Sequence, residues 1–229
     1  MNAETKARLI ERVRTLEGLT NDERSALLEL LRTEKAYGLV WENKPEDVEE
    51  RLRDELPVLV EDETKRIISD SPDAPNHVLI EGDNLEALTT LAYTHAGKID
   101  VIYIDPPYNT GNKDFVYNDA FVDSEDSYRH SKWLSFMSKR LRIAKKLLSD
   151  RGVIFISIDD NEQAYLKQLC DNVFGEDCLI SSFIWKKRQQ PDSRTKNGVS
   201  MDHDYLLCYG RKEDGRIRGK LSDVTKYSN

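Results

Sequence analysis

Apolar positions change their period near residue 75. Before that point they recur every three or four residues, the spacing of a helix with one buried face. Ile10, Val13 and Leu16 form such a stripe within residues 4–16, and Leu27, Leu28, Leu30 and Leu31 form another within 21–37. Thr20-Asn21-Asp22-Glu23 between them has the capping residue and early acids of a helix start. Pro45 opens a third, strongly acidic helical segment that Pro57 stops after about Leu56. As a block of charge it reads as a solvated surface helix or as a partner-docking face. Ser71-Pro72-Asp73-Ala74-Pro75 is the clearest linker.

Beyond the linker, short apolar runs alternate with helical patterns. Residues 77–80, 99–104 and 153–158 are predicted to be buried strands, with further strands at 180–185 and 205–209. Helices are predicted over 85–96, 128–148 and 162–174. Such alternation implies an α/β fold with a mostly parallel sheet covered on both faces. The expected divisions are a helical N-terminal region over 1–72, an α/β domain over 73–210 and a basic, polar tail over 211–229.

Composition narrows the class. With 33% charged and 38% hydrophobic residues, this is the profile of a charge-rich globular protein. No run approaches the roughly 20 apolar residues of a membrane span, and the N-terminus lacks a signal-peptide layout, so a cytoplasmic setting is expected. Three cysteines and four scattered histidines show no metal-ligand spacing, and no metal is expected. The net charge of −8 argues against nucleic acid until its distribution is considered. Residues 1–72 hold 12 Lys/Arg against 18 Asp/Glu, whereas residues 186–220 hold 10 against 5. The basic stretch, with Lys186, Lys187, Arg188, Arg194 and Lys196, suits phosphate contacts or a merely solvated loop.

The candidate chemistry lies where the 99–104 strand ends, in Asp105-Pro106-Pro107-Tyr108-Asn109. Two prolines remove two backbone donors and stiffen the chain, so the strand cannot continue. Taken alone, the tetrapeptide is equally a rigid turn with Asp105 as its cap. Asp83, Asp105 and Asp159 all follow predicted strands, and one sheet edge carrying three acids suggests a shared cleft.

Asp-Pro-Pro-Tyr after an apolar strand resembles the catalytic motif of methyltransferases acting on adenine N6. The run from Ile102 to Asn112 is similar to the modification subunits of type III restriction-modification systems. Glu81-Gly82-Asp83-Asn84-Leu85, Phe115 to Asp119, Gly152 to Glu162 and His203-Asp204-Tyr205 agree in order and spacing over about residues 77–210. The resemblance implies an incomplete Rossmann-like methyltransferase sheet, S-adenosylmethionine as cofactor and double-stranded DNA with a flipped adenine as substrate. It implies that Asp105 and the Pro106 carbonyl accept hydrogen bonds from the target amine, held in place by Pro106 and Pro107. Tyr108 would stack on the base, with Asn109 and Tyr205 beside it. Tyr205 reads equally as a core aromatic. Asp83 would lie near the cofactor's adenine, or serve only as a turn residue. Asp in place of Ser at the motif's first position implies adenine rather than cytosine. A homodimer and a restriction subunit are the implied partners.

In the family order that fits, a recognition region and a Phe-x-Gly-x-Gly cofactor loop follow the catalytic motif, and no such loop is found here. Residues 211–229 are expected to begin the recognition region, and the isolated chain is expected to have little or no activity. The alternatives are a truncated or vestigial scaffold that dimerises or docks, and a methyltransferase acting on RNA or a protein amide.

Overall fold

Two reciprocal hydrogen bonds start the second helix of this computed structural model, which describes residues 3–16, 18–32, 39–67, 71, 73–188, 200–215 and 217. Helix α1 spans Ala3–Thr15 and α2 spans Asn21–Arg32. At the start of α2 the Thr20 backbone N–H donates to Glu23 Oε2 at 2.9 Å, and the Glu23 N–H donates to Thr20 Oγ1 at 3.3 Å. That is a capping box, at the helix start expected from the sequence. The expected continuation of α2 to residue 37 lies outside the described residues. Met1–Val40 form one compact unit and Trp41–Asn229 a second.

The second unit begins with α3, Asp47–Asp54. Helix α4 (Asn84–Thr94) leads to strand β1 (Ile99–Ile104), and a small hairpin of β2 (Val116–Tyr117) and β3 (Ala120–Phe121) follows. Its two-residue turn, Asn118-Asp119, has φ of 48° and 59°, which suits a tight hairpin between right-twisted strands. Helix α5 (Arg129–Leu147), strand β4 (Leu148–Ile158) and helix α6 (Gln163–Phe174) come next, then β5 (Leu179–Lys186) and β6 (His203–Gly210).

The main sheet has the order β1-β4-β6-β5. Only β1 and β4 are parallel; β6 runs antiparallel to both β4 and β5. The expectation of a mostly parallel sheet is therefore corrected to a mixed one.

One face of the sheet carries the core. Ile154, Ile156, Ile158, Leu207 and Tyr209 are fully buried. The Tyr209 hydroxyl reaches α6, donating to Asp171 Oδ1 at 2.8 Å. Helix α5 covers the same core with Trp133, Leu134, Met137, Leu141 and Ala144, the three- and four-residue spacing of a helix face. The opposite face presents Val101, Tyr103, Phe183 and Trp185, all more than 40% exposed. Coverage of both faces, and full burial of the 99–104 strand, are thus overturned among the described residues. The predicted strand at 77–80 is also absent: Val78 and Leu79 are exposed, and no described strand pairs with them. An apolar run cannot become a strand without a ladder partner.

The acidic segment around α3 is not simply solvated. Arg140 of α5 makes two hydrogen bonds to Glu46, Nη1 to Oε1 at 2.9 Å and Nη2 to Oε2 at 3.0 Å, and both residues are buried. Arg140 Nε also donates to Asn84 Oδ1 at 2.6 Å, and Lys139 pairs with Glu49. A buried pair of this kind costs most when one partner is removed. Glu46→Ala, which leaves the Arg140 guanidinium uncompensated, is expected to lower the unfolding free energy by about 3–5 kcal/mol in urea denaturation. A loss below about 1 kcal/mol would mean that the pair behaves like a surface ion pair.

Candidate active site

Strand β1 ends at Ile104, so Asp105 is the first residue past the sheet edge. Strand β4 runs parallel to it and ends at Ile158, placing Asp159 at the same edge. Antiparallel β6 starts there, with Tyr205 opposite Ile158. Helix α4 connects to β1 through the short 95–98 segment, and Asp83 is its N-terminal cap. Asp105 and Asp159 therefore follow the ends of two adjacent parallel strands, whereas Asp83 follows no described strand and stands at the cap of α4.

Their states differ. Asp105 is exposed, and no Lys or Arg pairs with it among the described residues. Asp83 Oδ1 accepts from the backbone N–H groups of Leu85 and Glu86 at 2.8 and 3.1 Å, which caps α4. Asp159 closes its own turn by accepting from the Asn161 N–H at 2.9 Å, and Asp160 accepts from the Tyr205 hydroxyl at 3.0 Å. Tyr205 is therefore tied to the end of β4, and its ring packs edge-on against His203.

The loop after Asp105 is shaped from beneath. Pro106 and Asn109 are buried, while Pro107 and Tyr108 are partly covered. The indole Nε1–H of fully buried Trp133 donates to the Pro107 carbonyl at 2.7 Å. Asn109 adopts φ +55°, an uncommon conformation for which Asn is among the better-suited residues. Its Nδ2 donates to Glu162 Oε1 at 2.5 Å. Two residues on, Gly111 has φ +80°, and an added Cβ would lie 2.6 Å from that of Ser124, so the turn requires glycine.

Glu162 stands at the N-terminal cap position of α6 without capping it. Its fully buried side chain turns inward, where His130 Nδ1 lies 2.6 Å from Oε1. Arg129 Nε donates to His130 Nε2 at 3.2 Å. An Nε2 that accepts must be unprotonated, so His130 is neutral with its hydrogen on Nδ1. Burial, then the Arg129 charge, holds the imidazole below its ordinary pKa. Burial pushes the Glu162 carboxyl up to about 8, against the Asn109 hydrogen bond and Arg129, which favour the ionised form; Asp159 adds to the rise. At neutral pH the close contact is thus between uncharged groups and is not an ion pair.

The Tyr108 phenol is also held protonated, first by burial and then by the charge of Asp105 and a hydrogen bond to it; Asp204 and Tyr103 add to the rise. Asp204 is in turn held by Lys187, whose Nζ donates to Oδ1 at 2.6 Å. Lys187, one of the cations expected at phosphate, is engaged within the protein here. Lys186, at the end of β5, and Arg188 are both exposed. Arg194 and Lys196 lie outside the described residues. Sequence reading gave no role to Trp133, His130 or Asp204, and it treated Glu162 only as part of a matching run. Nothing in a linear pattern marks which helix residues point under a loop.

All three cysteines are buried, and burial raises each thiol, Cys208 to about 11. Unionised thiols of this kind are poor nucleophiles. No group of three or more His, Cys, Asp or Glu among the described residues is arranged to hold a metal ion. None of the described helices is long and apolar enough to cross a membrane.

A DNA methylase family model matches residues 99–228, which includes the whole loop and the strands around it. The chain belongs to this DNA methylase family. It is 34% identical over 235 residues to the EcoP15I Mod subunit, a type III restriction-modification enzyme of Escherichia coli, covering 89% of this chain and 35% of that one. It is 38% identical over 182 residues to the StyLTI Mod subunit of Salmonella typhimurium, covering 70% of this chain and 28% of that one. The methylase chain therefore spans about a third of the length of these curated relatives. Among solved structures it resembles the PvuII cytosine-N4-specific DNA methyltransferase with a TM-score of 0.43 and 16% identity, over 64% of this chain and 51% of that one.

The buried acid gives this methylase a pH signature. The Glu162 carboxyl titrates near 8 when folded against an ordinary value of 4.5, so the folded state binds the extra proton. The stability this contributes is complete below pH about 4.5, declines as pH rises, and is gone above about 8. Melting temperature is expected to fall across that interval, and Glu162→Gln, which cannot ionise, is expected to flatten the fall. An equally steep profile in the Gln variant would assign the effect to other groups.

Proposed function

We propose that this chain is the catalytic-motif part of an S-adenosylmethionine-dependent DNA adenine-N6 methyltransferase of a type III modification system. The observation that carries the reading is the exposed Asp105 carboxylate on a proline-stiffened loop at the sheet edge, with no cation paired to it among the described residues. An adenine amine is a weak nucleophile because its lone pair is delocalised into the ring. Asp105 accepts one amine hydrogen and the Pro106 carbonyl the other, which draws the nitrogen toward a tetrahedral geometry. As the new N–C bond replaces the bond between the methyl group and the cofactor's sulfur, which would keep that electron pair, Asp105 would take the proton released from the nitrogen. Rigidity does the catalytic work, since the acceptors are already placed when charge develops.

Tyr108 supplies a stacking face for a base turned out of the duplex, whose unstacking costs a few kcal/mol. Asn109 is the loop's anchor rather than a base contact, since its side chain is buried against Glu162. S-adenosylmethionine, when bound, supplies an electrophilic methyl group. Its cationic sulfonium suits an edge where Asp105 has no counter-ion, and Asp83 keeps Oδ2 outside the helix cap for a polar contact. The exposed Lys186 and Arg188 fit phosphate, while Lys187 orders Asp204. A homodimer, a restriction subunit as partner and a cytoplasmic setting belong to the same reading.

The measurement is transfer of labelled methyl groups to adenine-containing duplex DNA under single-turnover conditions with protein in excess. Asp105→Ala is expected to lower the rate roughly 100- to 1000-fold, the loss typical of a preorganised polar group aimed at developing charge. Label found on cytosine would overturn the choice of base. Transfer that is indifferent to the substitution would overturn the role of Asp105.

A further inference from the structure

Two buried acceptors beneath the loop have no hydrogen-bond partner among the described residues: Glu162 Oε2 and Asn109 Oδ1. They belong to residues already joined by one bond, from Asn109 Nδ2 to Glu162 Oε1. A carboxylic acid and a primary amide can form a ring of two hydrogen bonds, amide N–H to acid carbonyl and acid O–H to amide carbonyl. The first of these bonds is present, and the two orphaned atoms are the two ends of the second. An ionised Glu162 would instead leave a buried charge on an oxygen with no donor among the described residues.

We propose that Glu162 is a positioning residue that keeps its proton at neutral pH and clasps Asn109 in this acid–amide ring, fixing the loop that carries Asp105 and Tyr108. The surrounding groups agree. From α5, His130 already offers Nδ1–H to Oε1, so the remaining proton belongs on Oε2. Its other nitrogen is occupied by Arg129, and Tyr165 of α6 packs against its ring, so His130 is not free to turn toward Oε2. Asp159, from the β4–α6 turn, opposes ionisation, while the Asn109 hydrogen bond and the Arg129 charge favour it. Burial outweighs both, which fits a carboxyl that titrates near 8. Losing the proton breaks the ring at Oε2 and sets two acceptors against each other, and the positive-φ Asn109 is the residue able to move. The catalytic meaning of the clasp rests on the methyltransferase reading, but the clasp itself is a property of the loop.

Trp133 provides a reporter independent of activity, because its indole N–H bonds to the Pro107 carbonyl of the same loop. In the 229-residue chain its resonance is identified among three tryptophans by Trp133→Phe. The indole signal is expected to shift with a midpoint at pH about 8. In Glu162→Gln, whose amide supplies both an acceptor and a donor, it should stay at its low-pH position throughout. The side-chain carboxyl carbon of Glu162, labelled with carbon-13, should report the protonated form at pH 7. An ionised carboxyl at pH 7, an indole signal without a midpoint near 8, or the same midpoint in the Gln variant overturns the proposal. These results would leave the methyltransferase reading untouched, just as a chain without methyl transfer would leave the clasp untouched.

Discussion

A loop that leaves a sheet edge through two consecutive prolines has little backbone hydrogen bonding left with which to hold its shape, so its shape has to be imposed by side chains. Here they come from below: the Trp133 indole on the Pro107 carbonyl, and Glu162 with His130 under Asn109. Proline supplies local stiffness and the buried contacts supply position. Either alone would leave the Asp105 carboxylate stiff but misplaced, or placed but loose. The catalytic reading needs both, because hydrogen-bond acceptors lower a barrier only when they need not reorganise.

Helix α5 is where these constraints meet. Its first turns carry Arg129, His130 and Trp133 beneath the loop, and its middle packs Met137 and Leu141 into the core. Between those two, Lys139 and Arg140 bind the acidic residues Glu46 and Glu49 ahead of and within α3. The loop, the sheet core and the 41–54 segment are thus referred to a single rigid rod. The Lys44 carbonyl, which accepts from the Tyr117 hydroxyl at 2.7 Å, brings the β2–β3 hairpin into the same assembly. Side chains that look like scattered polar positions in the sequence act together as the mounting of one loop.

Charge has to be read by place in the same way. The overall excess of acid says little, since part of it is consumed in the Glu46–Arg140 pair and part lies at the loop edge, where an uncompensated carboxylate is of use. Lys187 counts as a basic-stretch residue by position, yet its ammonium holds Asp204. The buried Glu162, nominally one of the negative charges, is uncharged at neutral pH by the physics of its surroundings.

Local rules determined a good deal of this protein unaided. Period and capping identified α1, the start of α2, helices α4 to α6 and strands β1, β4, β5 and β6, but not the β2–β3 hairpin. The loop at Asp105 was legible because prolines after an apolar run admit few structures, and the family resemblance of its flanks is borne out by the match over residues 99–228. What local rules could not decide was pairing. Residues 77–80 have the composition of a strand but no described neighbour to bond with, and β6 turned out antiparallel because direction depends on how the chain returns. Which sheet face is covered, and that Glu162 turns inward beneath Asn109 rather than capping α6, are likewise settled between residues far apart in the chain. Tertiary structure alone decides such matters, because a side chain's charge and role depend on the groups that folding places around it.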